Sequence, residues 1–421
     1  MVMRSEQCYQ SIESRESNGL KHSSQVANAL DVVFCLNVRN VEHCFMTSNK
    51  HAGKYYFRNQ QLSPEDYKKA MSGIDIGSYK KLTQYKEEFK RLILSSFHRF
   101  ARSTNTPGCV VQIVKNAKNC YYCFYGSNLE NCRFCLFLDD AKDSQDVNNG
   151  GHNMELVYET CTTGVNASNV KFSMDAWPEV RDVEYSDTCR NGAKSLFGCS
   201  GIRGKQYCIL NKQYTKEEYG TLTAKIREHM NDVPYVDKKG RVYKYGEFFP
   251  AELSMFGYNE SMAQDYFPLT NTEALERGFH WKLDEGKHVA IDIKAVELPD
   301  HVRDAPTNIA EKIIGCEHNG ICNHHCTVGF KITPADFQYY QRNNFALPRL
   351  CPNCRHYERL SMTTPINFWH RQCMCDDKVY NNTTKHVHHS EGRCPNEFKT
   401  PYAPDRPEIV YCEQCYQQEV V

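Results

Sequence analysis

Charge of one sign is missing from this sequence: 51 basic residues stand against 51 acidic ones in 421. No net field therefore draws the whole molecule to nucleic acid or an anionic membrane, and only a local patch would do so. Long apolar runs are missing too. No stretch approaches the roughly 20 apolar residues that span a bilayer, and the N-terminus lacks the basic-then-apolar pattern of a signal peptide. Together these absences lead to the expectation of a cytoplasmic protein with no membrane partner. A chain of this length has room for two or three domains.

Cysteine is abundant, with 22 residues. The length, the missing signal and the CxxC spacings point to reduced thiols rather than a secreted disulfide framework. The thiols fall into two groups. Those from Cys109 to Cys208 lie inside apolar or aromatic runs and read as packing residues, whereas those beyond Cys316 sit among turn residues and other ligand-type side chains.

The first half repeats. NAKNCYYCF at 116–124 returns as NLENCRFCL at 128–136, and weaker copies begin near 140, 152, 167, 179 and 192. Asn and Asp fit polar corners, where they tolerate unusual dihedrals. Strand periodicity after each corner turns the first and third positions inward: Cys120 and Tyr122, Cys132 and Phe134, Leu156 and Tyr158, Val170 and Phe172, Val183 and Tyr185, Ser195 and Phe197. The copy at 140–147 is the poorest, because Asp146 falls at an inward position.

Short strands and corners without intervening helices bury their apolar face only by stacking, so the expectation is a mainly β fold with a β-helix-like solenoid over residues 1–230. A helical insertion is expected near 64–100, started by Ser63 and Pro64, and a closing helix near 215–230, started by the Thr215/Glu218 capping box. The segments 55–71 and 207–226 resemble each other, with Asn59 matching Asn211, so each ends in the same strand-to-helix exit. Residues 231–315 read as a linker or satellite region, in which nothing assembles a nucleophile, a base and an acid.

Residues 316–421 read as a small α+β module with two zinc sites. Two cysteines separated by two residues bring both sulfurs to one side of a tight turn, and soft thiolates favour zinc in a closed tetrahedron. The run CTVGFKITPADFQYYQRNNFALPRLCPNCR resembles a zinc-ribbon or treble-clef family at Cys326, Phe330, Phe337, Tyr339, Tyr340, Pro348, Arg349, Cys351, Cys354 and Arg355. It departs from that family in its first pair, Cys322 and Cys326, which is usually CxxC, and Cys316 is the substitute candidate. The tail, with Tyr402 to Glu408 followed by Cys412, Cys415 and Tyr416, resembles a companion element of cysteine-rich bacterial zinc proteins. These resemblances imply zinc and carry no activity.

The partition is Cys322, Cys326, Cys351 and Cys354 for one zinc ion and Cys373, Cys394, Cys412 and Cys415 for a second, with interleaved pairing as the alternative. Cys316, Cys375, His386, His388 and His389 are alternate metal ligands. Neither set leaves an open position for water, so both ions are structural. The functional expectation is a noncatalytic zinc-containing binding or scaffold protein whose partner is nucleic acid, a ribonucleoprotein surface or another protein. Arg349, Arg355, Arg359 and Arg371 are the candidate nucleic-acid contacts. The alternative class is an enzyme: a metal-dependent nuclease at the histidines, or a carbohydrate-active solenoid using carboxylates such as Asp139, Asp140 and Asp143.

Overall fold

The computed structural model describes residues 2–283, 289–376, 378–380, 382–389 and 392–421. Strand content (33%) exceeds helix content (23%), and the helices lie outside two long parallel ladders. The first ladder occupies residues 2–61 as two sheets, of four and five strands, and the second about 103–213 as one sheet of ten strands. In the first, Ser24 pairs with Leu36 and Val32 with Cys44, twelve residues on each time. In the second the step is also twelve at Val111 with Cys123 and at Phe124 with Leu136. It widens to thirteen where Val157 meets Val170 and Ser168 meets Arg181.

The backbone has a strict period. From Arg4 to Asn49 every third residue has positive φ, and the same holds from Ile113 to Asn149. That conformation costs a non-glycine residue roughly 1–2 kcal/mol, least for Asn and Asp. Asn28, Asn37, Asn40, Asn116, Asn119, Asn128, Asn131, Asp140 and Asp143 occupy such corners. Their side chains form ladders of their own, as in Asn116 to Asn128 and Asn119 to Asn131.

A corner at every third residue gives the side chains a period of three, not two, and this corrects the expected register. The residue after each corner points inward: Cys120, Cys123, Leu129, Cys132, Cys135, Leu138, Ala141 and Val147 are all buried. Of the expected inward positions, Cys120, Cys132, Val170 and Val183 are buried in the two interior clusters. Phe134 and Leu156 are corner residues with φ of 52° and 56°, and they are 55% and 51% exposed. Tyr122, Phe172, Tyr185 and Ser195 are corners as well. Phe172 is buried from outside the ladder, stacked on Tyr185 at 4.8 Å and set edge-on to Tyr245. Asp146 is a corner too, and Val147 takes the inside.

The inward cysteines and serines share one bond. Each donates to the carbonyl two residues earlier: Ser23 to Lys21, Ser144 to Lys142, Ser186 to Glu184, Cys120 to Lys118, Cys132 to Glu130 and Cys135 to Arg133. The serine oxygens also accept a backbone N–H from the next layer, as Ser23 does from Cys35 and Ser186 from Cys199. A small donor here gives a second bond to a carbonyl that already accepts a backbone N–H, as Glu184 does from Gly198 and Glu130 from Asp143, and so satisfies its own buried polar hydrogen.

Both ladders end alike. The last strand turns back antiparallel, Phe57 against Gln60 in one and Ile209 against Lys212 in the other. Asn59 Oδ1 accepts Ser48 N–H at 2.8 Å and Asn211 Oδ1 accepts Ser200 N–H at 2.9 Å, so each amide side chain stands in for the carbonyl of a missing next layer. Helices follow at Pro64–Ser72, capped by Ser63, and Lys216–Asp232, capped by the Thr215/Glu218 box. The helix Tyr79–Ser95 covers the corner aromatics of the first ladder, bringing Phe89 to 5.7 Å from Phe34.

Replacing Ser186 by Ala orphans the Cys199 N–H, while the Glu184 carbonyl keeps its bond from Gly198 N–H, and should lower stability by about 1–3 kcal/mol in urea melts. Cys132→Ser keeps the donor and should cost less than Cys132→Val, with metal content unchanged in both.

His22, stacked on Phe34 at 4.8 Å, yields a pH prediction. Burial, then Lys86 and Lys21, lower its pKa from 6.5 to about 3. The unfolded chain therefore binds more protons between these values, and the stability contributed by neutral His22 is complete above pH 6.5 and lost as pH falls toward 3. His22→Phe should shrink the loss of urea midpoint between pH 7 and pH 5 relative to the parent protein.

Candidate metal centres

Two similar knuckles follow one another in the C-terminal part. In the first, the strand Ile314–Gly315 pairs antiparallel with Gly329–Phe330 and delivers Cys316. In the second, Trp369–Gln372 pairs antiparallel with Glu397–Thr400 and delivers Cys373. A helix then opens on a CxxC unit in each: Cys351 caps Pro352–Leu360 and accepts Cys354 N–H, while Cys412 caps Glu413–Val420 and accepts Cys415 N–H. A thiolate is favoured at a helix N-terminus because the free N–H groups point at it.

The strand cysteine is tied to the helix cysteine in the same way in both. Cys351 N–H donates to Cys316 Sγ at 3.2 Å and Cys412 N–H to Cys373 Sγ at 3.1 Å. Cys316 and Cys354 sulfurs are 3.8 Å apart, those of Cys373 and Cys415 3.7 Å, and those of Cys394 and Cys412 4.0 Å. Zinc–sulfur bonds of about 2.3 Å in a tetrahedron place sulfurs roughly 3.8 Å apart.

Two four-thiol groups result, Cys316, Cys326, Cys351, Cys354 and Cys373, Cys394, Cys412, Cys415, each with all sulfurs within 4.8 Å of one another. The second is the set drawn from the sequence. In the first, Cys316 stands where Cys322 was expected, because it leaves the strand directly under the Cys351 N–H. Cys322 lies in the intervening turn, 3.6 Å from Cys354 Sγ, and groups with His318, His324 and Cys354. His318 and His324 were missed by the sequence reading; the C-x-H spacing at Cys316 and again at Cys322 was the available signal. Cys375, His386 and His389 converge beside the second set and group with Cys415, and His388 Nε2 lies 3.2 Å from Cys415 Sγ and 3.6 Å from Cys394 Sγ.

Electrostatics separates the thiols. Burial works to raise the Cys351 pKa, but hydrogen bonds from Cys354 and Thr327 bring it down to about 6. Thiol hydrogen bonds from Cys373 and Cys415 hold Cys412 far below the ordinary cysteine value, and Cys373 is pushed up to about 12 by its bond to Cys412. The helix-capping cysteine of each knuckle is thus the first to ionise, and a divalent cation would deprotonate its neighbours. This donor set of soft sulfur and imidazole suits zinc.

The four candidate arginines do not form one open surface. Arg349 lies 4.1 Å over the Tyr79 ring and donates to Leu298 O, Arg359 donates to Gln10 Oε1 at 2.6 Å, and Arg371 donates to Ala403 O. Arg355 is half-buried at the first helix. Among the described residues no helix is long and apolar enough to cross a membrane.

No protein-family model matches the chain, and no curated protein is detectably similar to it. The geometry of the Cys/His clusters in the C-terminal part is consistent with a generic metal-binding module.

Cys412→Ser should release metal from the second knuckle and destabilise the module, read by metal analysis of the purified protein and by urea melts, because the donors there are themselves the core: Cys373, Cys375, Cys394, Cys412 and Cys415 form the buried cluster with Tyr411 and Tyr416.

Proposed function

We propose that this protein is a noncatalytic, zinc-held scaffold in which two β-helix-like solenoid arms are locked together by the metal module, with at least one structural zinc ion in each knuckle. The observation that carries the reading is that the module bonds to both ladders. On the first, Tyr9 stacks on Phe345 at 4.4 Å and Asn37 donates to the Tyr416 hydroxyl. Phe97–Arg99, just after the covering helix, adds a parallel strand to Ile409–Tyr411. On the second, Phe124 stacks on Phe368 at 4.7 Å and Gln112 donates to Thr364. The ladders also meet directly through the buried pair Arg102 and Glu13 at 2.8 Å.

Closed four-thiol sets leave no position for a reacting water, which supports a structural role for the metal over a catalytic one. The internal contacts of Arg349, Arg359 and Arg371 support a role in bracing, which weakens the nucleic-acid reading relative to a protein-binding scaffold.

Two measurements test this. Chelating the metal should separate the arms, seen as new protease cleavage between residues 95 and 105 and an increase in radius of gyration by X-ray scattering. An unchanged radius after complete metal removal would sink the reading. Arg359→Ala should lower the urea midpoint by an amount corresponding to about 1–3 kcal/mol through the lost charged hydrogen bond, while any weak binding of single-stranded RNA keeps its salt slope.

A further inference from the structure

The donors around each knuckle outnumber one ion, and they do so in a similar pattern. The first collects Cys316, Cys326, Cys351 and Cys354 in one group and His318, Cys322, His324 and Cys354 in the other. The second collects Cys373, Cys394, Cys412 and Cys415, then Cys375, His386, His389 and Cys415. The first thus brings together five cysteines and two histidines and the second five cysteines and three histidines, since His388 also lies against Cys394 and Cys415, and in each the residue common to the two groups named is the second cysteine of the helix-starting CxxC. In each, too, a further donor comes two residues after the strand cysteine, His318 after Cys316 and Cys375 after Cys373. The seven donors of each pair of groups named complete two four-coordinate ions only when one of them is shared.

We propose that each knuckle holds a pair of zinc ions bridged by one thiolate, Cys354 in the first and Cys415 in the second, giving four ions per chain. This rests on the zinc-held reading above and adds a second ion to each site. Thiolates bridge readily because sulfur has more than one lone pair to offer, whereas an imidazole nitrogen has one. Bridging also lowers the buried charge: five thiolates around two divalent ions leave roughly one excess negative charge, against two for a lone ion on four thiolates.

Independent observations point to an ion at each second position. In the second knuckle His386 Nδ1 is 3.2 Å from Cys375 Sγ and 3.2 Å from His389 Nε2, and His389 Nε2 is 3.5 Å from Cys375 Sγ and 3.6 Å from Cys415 Sγ. These are the edges of a tetrahedron with zinc–nitrogen bonds of about 2.0 Å and zinc–sulfur bonds of about 2.3 Å. The other nitrogen of His386 meets Glu419 Oε1 at 2.9 Å, with the two side chains 1% and 0% exposed. Glu419 in turn accepts Thr383 N–H and Oγ1–H, both at 2.8 Å. A carboxylate fixing the far nitrogen of an imidazole turns the near nitrogen's lone pair toward a metal. In the first knuckle the buried Nδ1 atoms of His318 and His324 have no hydrogen-bond partner. The His324 ring is held flat on Tyr357, 5.1 Å away and 4° from parallel.

The test uses the full-length protein. Native mass spectrometry of zinc-loaded protein should show four ions. After exchange into ¹¹³Cd²⁺, NMR should show four cadmium resonances in two pairs, each pair split by scalar coupling through its shared sulfur. His386→Ala with His389→Ala should remove one ion and collapse one pair to a singlet, and His318→Ala with His324→Ala should do the same to the other. The coupling in the parent protein stands as evidence even if a variant fails to fold. Two uncoupled resonances would overturn the bridged pairs and leave the zinc-held knuckles standing. Three ions, or four without coupling, would also overturn the proposal, and fewer than two would overturn both readings.

Discussion

A backbone forced into the left-handed region at every third residue is the constraint on which the two ladders depend. Each such corner carries a conformational penalty that only its surroundings can offset. The offset comes from three sources: Asn and Asp at exposed corners, inter-strand hydrogen bonds at a fixed step of twelve or thirteen, and small inward donors that add a second bond to the carbonyl two residues back. With only two residues between successive corners the interior is narrow. Cys, Ser, Ala, Val and Leu predominate in it, and aromatic side chains lie outside, where Phe34 and Phe172 at corners become the outer surface against which other elements pack.

That outward displacement connects the ladders to the rest of the molecule. A narrow interior buries limited apolar area, so further stability comes from covering the corners. The Tyr79–Ser95 helix covers the first ladder, and Phe345 and Phe368 bring the metal module against both. The cysteines accordingly serve two purposes in one chain. Inside the ladders they are compact side chains bonded to backbone carbonyls, whereas in the knuckles they crowd at helix N-termini, where hydrogen bonds pull Cys351 and Cys412 toward the thiolate form. The same residue type is placed by size in one half and by its grouping at helix starts in the other.

The repeated strand exit illustrates how a sequence signal acquires its meaning. Asn59 and Asn211 stand out as a matched pair in two similar segments, and nothing in the residues alone separates a binding role from a structural one. In the structure each amide oxygen takes the N–H that would otherwise face an absent next layer. An open sheet edge is a template for unwanted pairing, and an antiparallel turn with an amide cap blunts it.

By itself the sequence determined the twelve-residue recurrence, the Asn and Asp corners, and the helix starts at Ser63 and Thr215, because all of these are local: a corner or a cap is specified by residues within a few positions of one another. Only the tertiary structure decided the period of three, since alternation and triplets both place Cys120 and Cys132 inward and differ at positions such as Tyr122, Phe134, Leu156 and Phe172, which are corners. It also decided that Cys316 rather than Cys322 joins the first four thiols, and that Arg349, Arg359 and Arg371 turn toward their own chain. Those outcomes depend on which strand a residue leaves and which distant carbonyl or ring it meets, such as Tyr79 under Arg349 and Gln10 beside Arg359, and long-range proximity of that kind is set by packing rather than spacing.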